Sequence, residues 1–194
     1  MGLEKRVYSV LVVSAAENFN TALSALLPEI SYSPVHTVSS VSAAKRVVAE
    51  TAYDFVIINS PLPDDIGTRF AIDTSHLPGT VVLLLVRSEI HAEIYDKVIE
   101  HGVFTLPKPT SKPLMVTALS WLSSARERLR RFEKKTLSIE EKMAEIRIVN
   151  QAKWILITEL HMDEPSAHRY IEKQAMDRCV SKHEVAKEII KTYS

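Results

Sequence analysis

Residues 118–150 read ALSWLSSARERLRRFEKKTLSIEEKMAEIRIVN. Every third or fourth position picks out Ala118, Leu122, Ala125, Leu129, Phe132, Thr136, Ile139, Met143, Ile146 and Asn150. The steps alternate four and three without interruption, a mean period of 3.5. That period belongs to a narrow coiled-coil seam; the apolar stripe of an ordinary surface helix is wider. Neither Gly nor Pro falls between Leu114 and Glu164, and a helix of this length would reach roughly 50 Å. A helix that long needs cover, and its own copy is the simplest cover. The spacing therefore predicts a homodimer with Leu122, Leu129, Phe132, Ile139, Met143 and Ile146 in the seam. Two features point the other way. Thr136 is a poor seam residue, and Ser138 with Glu141 forms a capping box at which the helix can break near Leu137 and restart. The alternative is two helices folded back on each other in one chain.

The seam divides the sequence into three parts: 1–113, a linker helix over 114–146, and 147–194. Composition is that of a globular protein, with zero formal net charge, so a nucleic-acid site has to be local. The strongest local excess is Arg126–Lys135, with six basic and two acidic residues, read as the solvated flank of the coiled coil. The single cysteine, Cys179, excludes an internal disulfide and a cysteine-based zinc site. The histidines show no metal-ligand spacing, and no metal or cofactor is expected. No apolar run has transmembrane length. Met1–Ala16 mimics a signal peptide weakly but reads better as a buried strand. Gly2 is not followed by the Ser or Thr that myristoylation requires, since position six is Arg6. A cytoplasmic protein without a membrane partner is expected.

Before the seam, short apolar runs alternate with helical spacing. Strands are predicted at Val7–Val13, Val35–Val38, Phe55–Ile58, Val81–Val86 and Val103–Leu106. Helices are predicted at Asn18–Leu27, Val41–Ala52, Thr68–Ser75 and Glu89–His101. This is an α/β doubly wound, five-stranded parallel sheet, whose ligands bind beyond the carboxyl ends of the strands. Those ends carry Ser14 and Ala15, Asn59, Val86 and Lys108. The βα order, Leu62-Pro63 and Gly67 after the third strand, and Lys108-Pro109 after the fifth resemble the receiver domain of two-component response regulators. The resemblance implies an acidic pair holding Mg²⁺, a phosphoacceptor Asp, a hydroxyl residue and a Lys. Here those positions are Ser14 and Ala15, Asn59, Val86 and Lys108, and only the Lys is kept. A neutral amide is a poor nucleophile toward phosphorus, and Mg²⁺ wants carboxylate oxygens. The reading is a pseudo-receiver, degenerate in its phosphoacceptor pocket, that can offer a face to a regulatory protein partner. Lys108 should then turn to solvent or bond to Asn59. Asp64 and Asp65 are read as loop solvation and capping ahead of Gly67.

After the seam, Asp163 as N-cap with Pro165 opens one helix, and the Ser181–Glu184 capping box opens another. Ala152-Lys153 with Ile155-Leu156, then Ala167-His168-Arg169-Tyr170-Ile171-Glu172-Lys173-Gln174-Ala175-Met176-Asp177, then Glu184-Val185-Ala186, resemble the ANTAR domain over Ile139 to Ile190. Trp154 stands where that family commonly has Gly. The resemblance implies a small three-helix domain and antitermination by binding RNA hairpins in nascent leader transcripts. Residues 147–194 hold eight basic and seven acidic side chains, so a binding face requires segregation of charge. The candidates are Lys153, Arg169, Lys173, Arg147 and Lys182. Tyr170 is expected in the core, and Trp154 either in helix packing or as a stacking surface. The alternatives are a DNA-binding regulator with a helix-turn-helix, and a coiled-coil interaction module that binds no nucleic acid. With four glycines and no phosphate-cradling loop, no catalysis is expected.

Overall fold

The computed structural model describes residues 6–193; Gly2 lies outside them. Five parallel strands, β1 (Tyr8–Val13), β2 (Tyr32–Val38), β3 (Phe55–Asn59), β4 (Val81–Arg87) and β5 (Phe104–Lys108), form one sheet in the order β2-β1-β3-β4-β5. Between them run α1 (Glu17–Ser24), α2 (Val41–Glu50), α3 (Thr68–Ser75) and α4 (His91–Val98), the last flanked by short 3₁₀ turns. α5 (Lys112–Leu160), α6 (Glu164–Asp177) and α7 (Lys182–Tyr193) follow. The chain divides into two compact units, Met1–Arg131 and Phe132–Ser194.

In the first unit the alternation of side chains along buried strands sorts them between two cores. Leu11, Val13, Val56, Ile58, Leu84 and Val86 face α2, α3 and α4. Val10, Val12, Phe55, Ile57, Leu83 and Leu85 face α1 and the first turns of α5. The outer strands exceed their predicted limits. β2 begins at Tyr32 and includes Pro34, and β5 continues through Pro107 to Lys108. Both are edge strands, where a residue without an N–H leaves no ladder bond unmade. Gly67 has φ +85°, and a Cβ there would come 3.1 Å from Ile58 Cγ2, so a bulkier residue meets both backbone and packing resistance.

α5 runs unbroken through Thr136–Ser138. The capping box expected there does not form, because with no Gly or Pro the backbone continues its own i→i−4 ladder at small propensity cost. The seam reading needs one correction. Leu122 is fully buried against its own sheet, with Met115, Ala118 and Leu119. A sequence period reports which positions share a helix face and is silent on what covers them. Leu129, Ile139, Met143 and Ile146 are exposed, as is Phe132 at 54%.

The second unit packs the end of α5 against α6 and α7. Its core is built from small and branched side chains: Ala152, Leu156, Ala167, Ile171, Val185 and Ala186. Asp163 caps α6 by accepting the Ser166 N–H at 2.8 Å. At α7 the Ser181 Oγ accepts the Glu184 N–H at 3.1 Å while Glu184 accepts the Ser181 N–H at 3.0 Å. This is a reciprocal capping box. Among the described residues no helix is long and apolar enough to cross a membrane.

Candidate functional site

Ser14, Asn59 and Lys108 leave the ends of β1, β3 and β5 on one face and meet. Lys108 Nζ donates to Asn59 Oδ1 at 2.7 Å, and Asn59 Nδ2 donates to Ser14 Oγ at 3.0 Å. Ser14 and Asn59 are buried. Burial first, and the neighbouring Arg87 charge second, push the Lys108 ammonium below its usual range. Ala15 is exposed and offers no side-chain donor, and Val86 is buried in the opposite core. The receiver resemblance implies Mg²⁺ here, and this donor set does not fit it. A hydroxyl already engaged and a neutral amide replace the carboxylate oxygens that a hard cation requires.

Asp64 and Asp65 are used locally. Asp64 accepts the Val41 and Ser42 N–H groups, each at 2.9 Å, and so caps α2 rather than the helix that follows it. Those bonds hold its carboxyl below the usual range. Asp65 accepts the Gly67 N–H at 2.6 Å and shapes the turn.

At the opposite end of the sheet lies a cluster the sequence reading missed. Asp54 Oδ1 accepts Arg126 Nε at 2.7 Å and Arg130 Nη2 at 2.9 Å. Asp54 Oδ2 accepts the Ser9 N–H at 3.0 Å. Arg130 also pairs with Glu127 at 3.0 Å, and its guanidinium lies 5.4 Å from the centre of the Tyr8 ring. Arg126 and Arg130 were expected on a solvated flank; their side chains are only 13% and 23% exposed. The available signal was a charge, Asp54, at the mouth of an otherwise apolar strand, because a carboxylate there needs cationic partners.

The five candidate cations in the second unit fall into two groups. Lys153 pairs with Glu164 at 3.1 Å with its side chain 16% exposed. Lys182 pairs with Glu172, which His168 also reaches at 3.2 Å. The Lys182 hydrogen bond and charge hold the Glu172 carboxyl below its usual range. Arg169 and Lys173 stand one turn apart on the exposed side of α6, and Arg147 is exposed on α5. Arg169 Nε donates to the Pro165 carbonyl at 3.3 Å, which orients its guanidinium along the helix. Tyr170, expected in the core, is 39% exposed, to one side of these two cations on the helix. The reason is that Ala167, Ile171 and Ala175 already fill the buried stripe of α6. Trp154 is 67% exposed.

Residues 138–190 match the ANTAR domain family. The chain thus joins a receiver-like fold to a segment that matches the ANTAR domain. The chain is 32% identical over 133 residues to the aliphatic amidase regulator of Pseudomonas aeruginosa, a match covering 66% of this chain and 63% of that protein. It thus spans less than two thirds of that relative's length. It is 25% identical over 142 residues to the transcriptional regulatory protein PdtaR of Mycobacterium tuberculosis, covering 72% of this chain and 68% of PdtaR. Among solved structures, the signal receiver domain of an HD domain-containing protein from Pseudomonas fluorescens Pf-5 is similar with a TM-score of 0.57. Its identity is 22%, over 68% of this chain and 96% of that one. The non-phosphorylated HemR receiver domain from Leptospira biflexa gives 0.52 at 22% identity, over 59% and 92%. These likenesses establish the receiver fold.

Proposed function

We propose that this chain is a transcription antitermination regulator that binds RNA hairpins in nascent leader transcripts as a homodimer. Its boundaries are those read from the sequence: a receiver-like domain over 1–113, a linker helix over 114–146 and an RNA-binding domain over 147–194. The reading rests on one observation above the rest: the ANTAR match over 138–190 coincides with an α6 face that displays Arg169, Tyr170 and Lys173 together. Loop bases are held by stacking and edge hydrogen bonds while cations hold the phosphates, and this helix offers an exposed aromatic ring beside two exposed cations. Arg147 extends the cationic set. Lys153 and Lys182 contribute once RNA phosphate competes for them with Glu164 and Glu172.

The exposed apolar positions Leu129, Ile139, Met143 and Ile146 support the dimer, since a second copy of the same helix covers them at heptad spacing. Two copies then present two RNA faces, and a pair of hairpins is held by avidity. In the receiver-like domain the Lys108–Asn59–Ser14 chain occupies the place of a phosphoryl site without its carboxylates. The domain therefore accepts no phosphate, and its control comes from a protein partner.

The test is a gel shift at moderate salt with a two-hairpin RNA, a duplex DNA of equal length, and the Arg169→Ala/Lys173→Ala variant. Hairpin RNA is retained, duplex DNA is not, and the double variant lowers the salt slope by about one for each phosphate contact removed. Retention of duplex DNA in place of RNA overturns the reading in favour of a DNA-binding regulator. Retention of neither, with a stable protein heterocomplex, favours an interaction module.

A further inference from the structure

Between α1 and the start of α5, on the sheet face opposite α2, α3 and α4, lies a cavity of about 490 Å³. Phe19, Leu23 and Leu26 form one wall, Leu85 the floor and Met115 the other wall. A volume in the range of about 300–1,000 Å³, apolar walls and a few polar groups at one side are the ordinary make-up of a small-molecule site. The polar side here is cationic, with Lys108 and the exposed Lys112 both lining it. Among the described residues neither lysine is paired with a carboxylate. The partner of Lys108 is the neutral amide oxygen of Asn59, and Arg87 sits beside it on β4. Among the described residues the site thus combines an apolar interior with positive charge that no carboxylate neutralises.

We infer that this cavity binds a small amphipathic carboxylate, its hydrocarbon body among Phe19, Leu23, Leu26 and Met115 and its acid group on Lys112 and Lys108. A neutral apolar molecule would leave the cations uncompensated, and an apolar amine would be repelled by them. Burial of the Lys108 stem adds to the attraction, because an ion pair formed with a partly desolvated ammonium is stronger than one in open water. Lys112 and Met115 belong to the first turn of α5, so the occupant touches the helix that continues into the ANTAR domain. The inference does not depend on RNA binding.

The full chain is titrated with decanoate, decanol and decylamine below their aggregation limits, with binding read by calorimetry and by thermal melting. Decanoate binds saturably at one per chain and raises the melting temperature. Decanol binds more weakly and decylamine does not bind. Lys112→Met weakens decanoate about tenfold and leaves decanol unchanged. Ala22→Trp, which fills the cavity from an exposed helix position, abolishes both while its ligand-free melt stays at the wild-type value. The inference falls if folded wild type does not bind decanoate, if Ala22→Trp binds it as well as wild type does, or if decylamine binds equally. It also falls if sedimentation shows Ala22→Trp converting a dimer into a monomer while decanoate fails to bind wild type. The face would then be an interface between copies of this chain.

Discussion

Replacing Asp54 by Ala should destabilise the receiver-like unit by about 2–4 kcal/mol. The figure follows from what the carboxylate touches. Oδ1 accepts two guanidinium N–H groups, at 2.7 and 2.9 Å, and Oδ2 accepts the Ser9 backbone N–H at 3.0 Å. Hydrogen bonds involving charge contribute roughly 1.5–3 kcal/mol each, and breaking a buried pair costs about 3–5 kcal/mol because a charge is left behind. The side chains here are 13–23% exposed, and Arg130 keeps Glu127, so the lower part of that range applies. With a urea slope of about 2 kcal/mol per molar, the midpoint moves by about 1–2 M. Trp121 fluorescence in a Trp154→Phe background reads this unit alone. The pH dependence is a second check. Burial pushes the Asp54 carboxyl up, but the Arg126 hydrogen bond, the Ser9 N–H and the charges of Arg130 and Arg126 outweigh it and hold it below the usual range. A carboxyl lowered in the folded state stabilises above its unfolded value of about 3.9, and that stability is lost as pH falls through the folded value. The gap between wild type and Asp54→Asn should therefore be constant near neutrality and close below about pH 4. A loss under about 0.5 kcal/mol for Asp54→Ala would mean an ordinary exposed ion pair, and the clamp argument would fail.

Three further outcomes are expected. Asn59→Asp restores the nucleophile without the acidic pair that holds Mg²⁺, so acetyl phosphate should leave it unlabelled by intact mass; stoichiometric phosphorylation would contradict this. If the proposed dimer forms, Met143→Glu/Ile146→Glu should leave a monomer in light scattering without loss of far-UV helical signal, since both side chains are exposed within a single chain; a wild type that is itself monomeric would contradict the proposal. Ser181→Ala removes one half of the α7 capping box and should cost about 1 kcal/mol in the unfolding of the second unit, read by Trp154 fluorescence.

Local patterns were enough for most of the first unit. Runs such as Val81–Val86 can only be strands buried on both faces, and the order of βα elements leaves a parallel sheet as the arrangement. The caps at Asp163 and Ser181 were equally legible, because a cap is a bond between residues three apart. The edge strands were under-read at Pro34 and Pro107, since proline marks a break wherever the neighbours of a strand are unknown. The ANTAR motifs are legible because they lie within some fifty residues of sequence, 138–190. They left open which of the second domain's cations face outward.

What tertiary structure alone decided are contacts between residues distant in sequence. Leu122 and Leu129 occupy equivalent seam positions, yet the sheet covers the first and leaves the second exposed. Asp54 meets Arg126 and Arg130 across more than seventy residues, and Lys108 reaches Asn59 only because β5 and β3 end on the same side of one sheet. Periodicity fixes the direction in which a side chain points from its own element. Whether it meets a sheet, a counter-charge or solvent depends on how the chain returns, and that is a property of the packed fold.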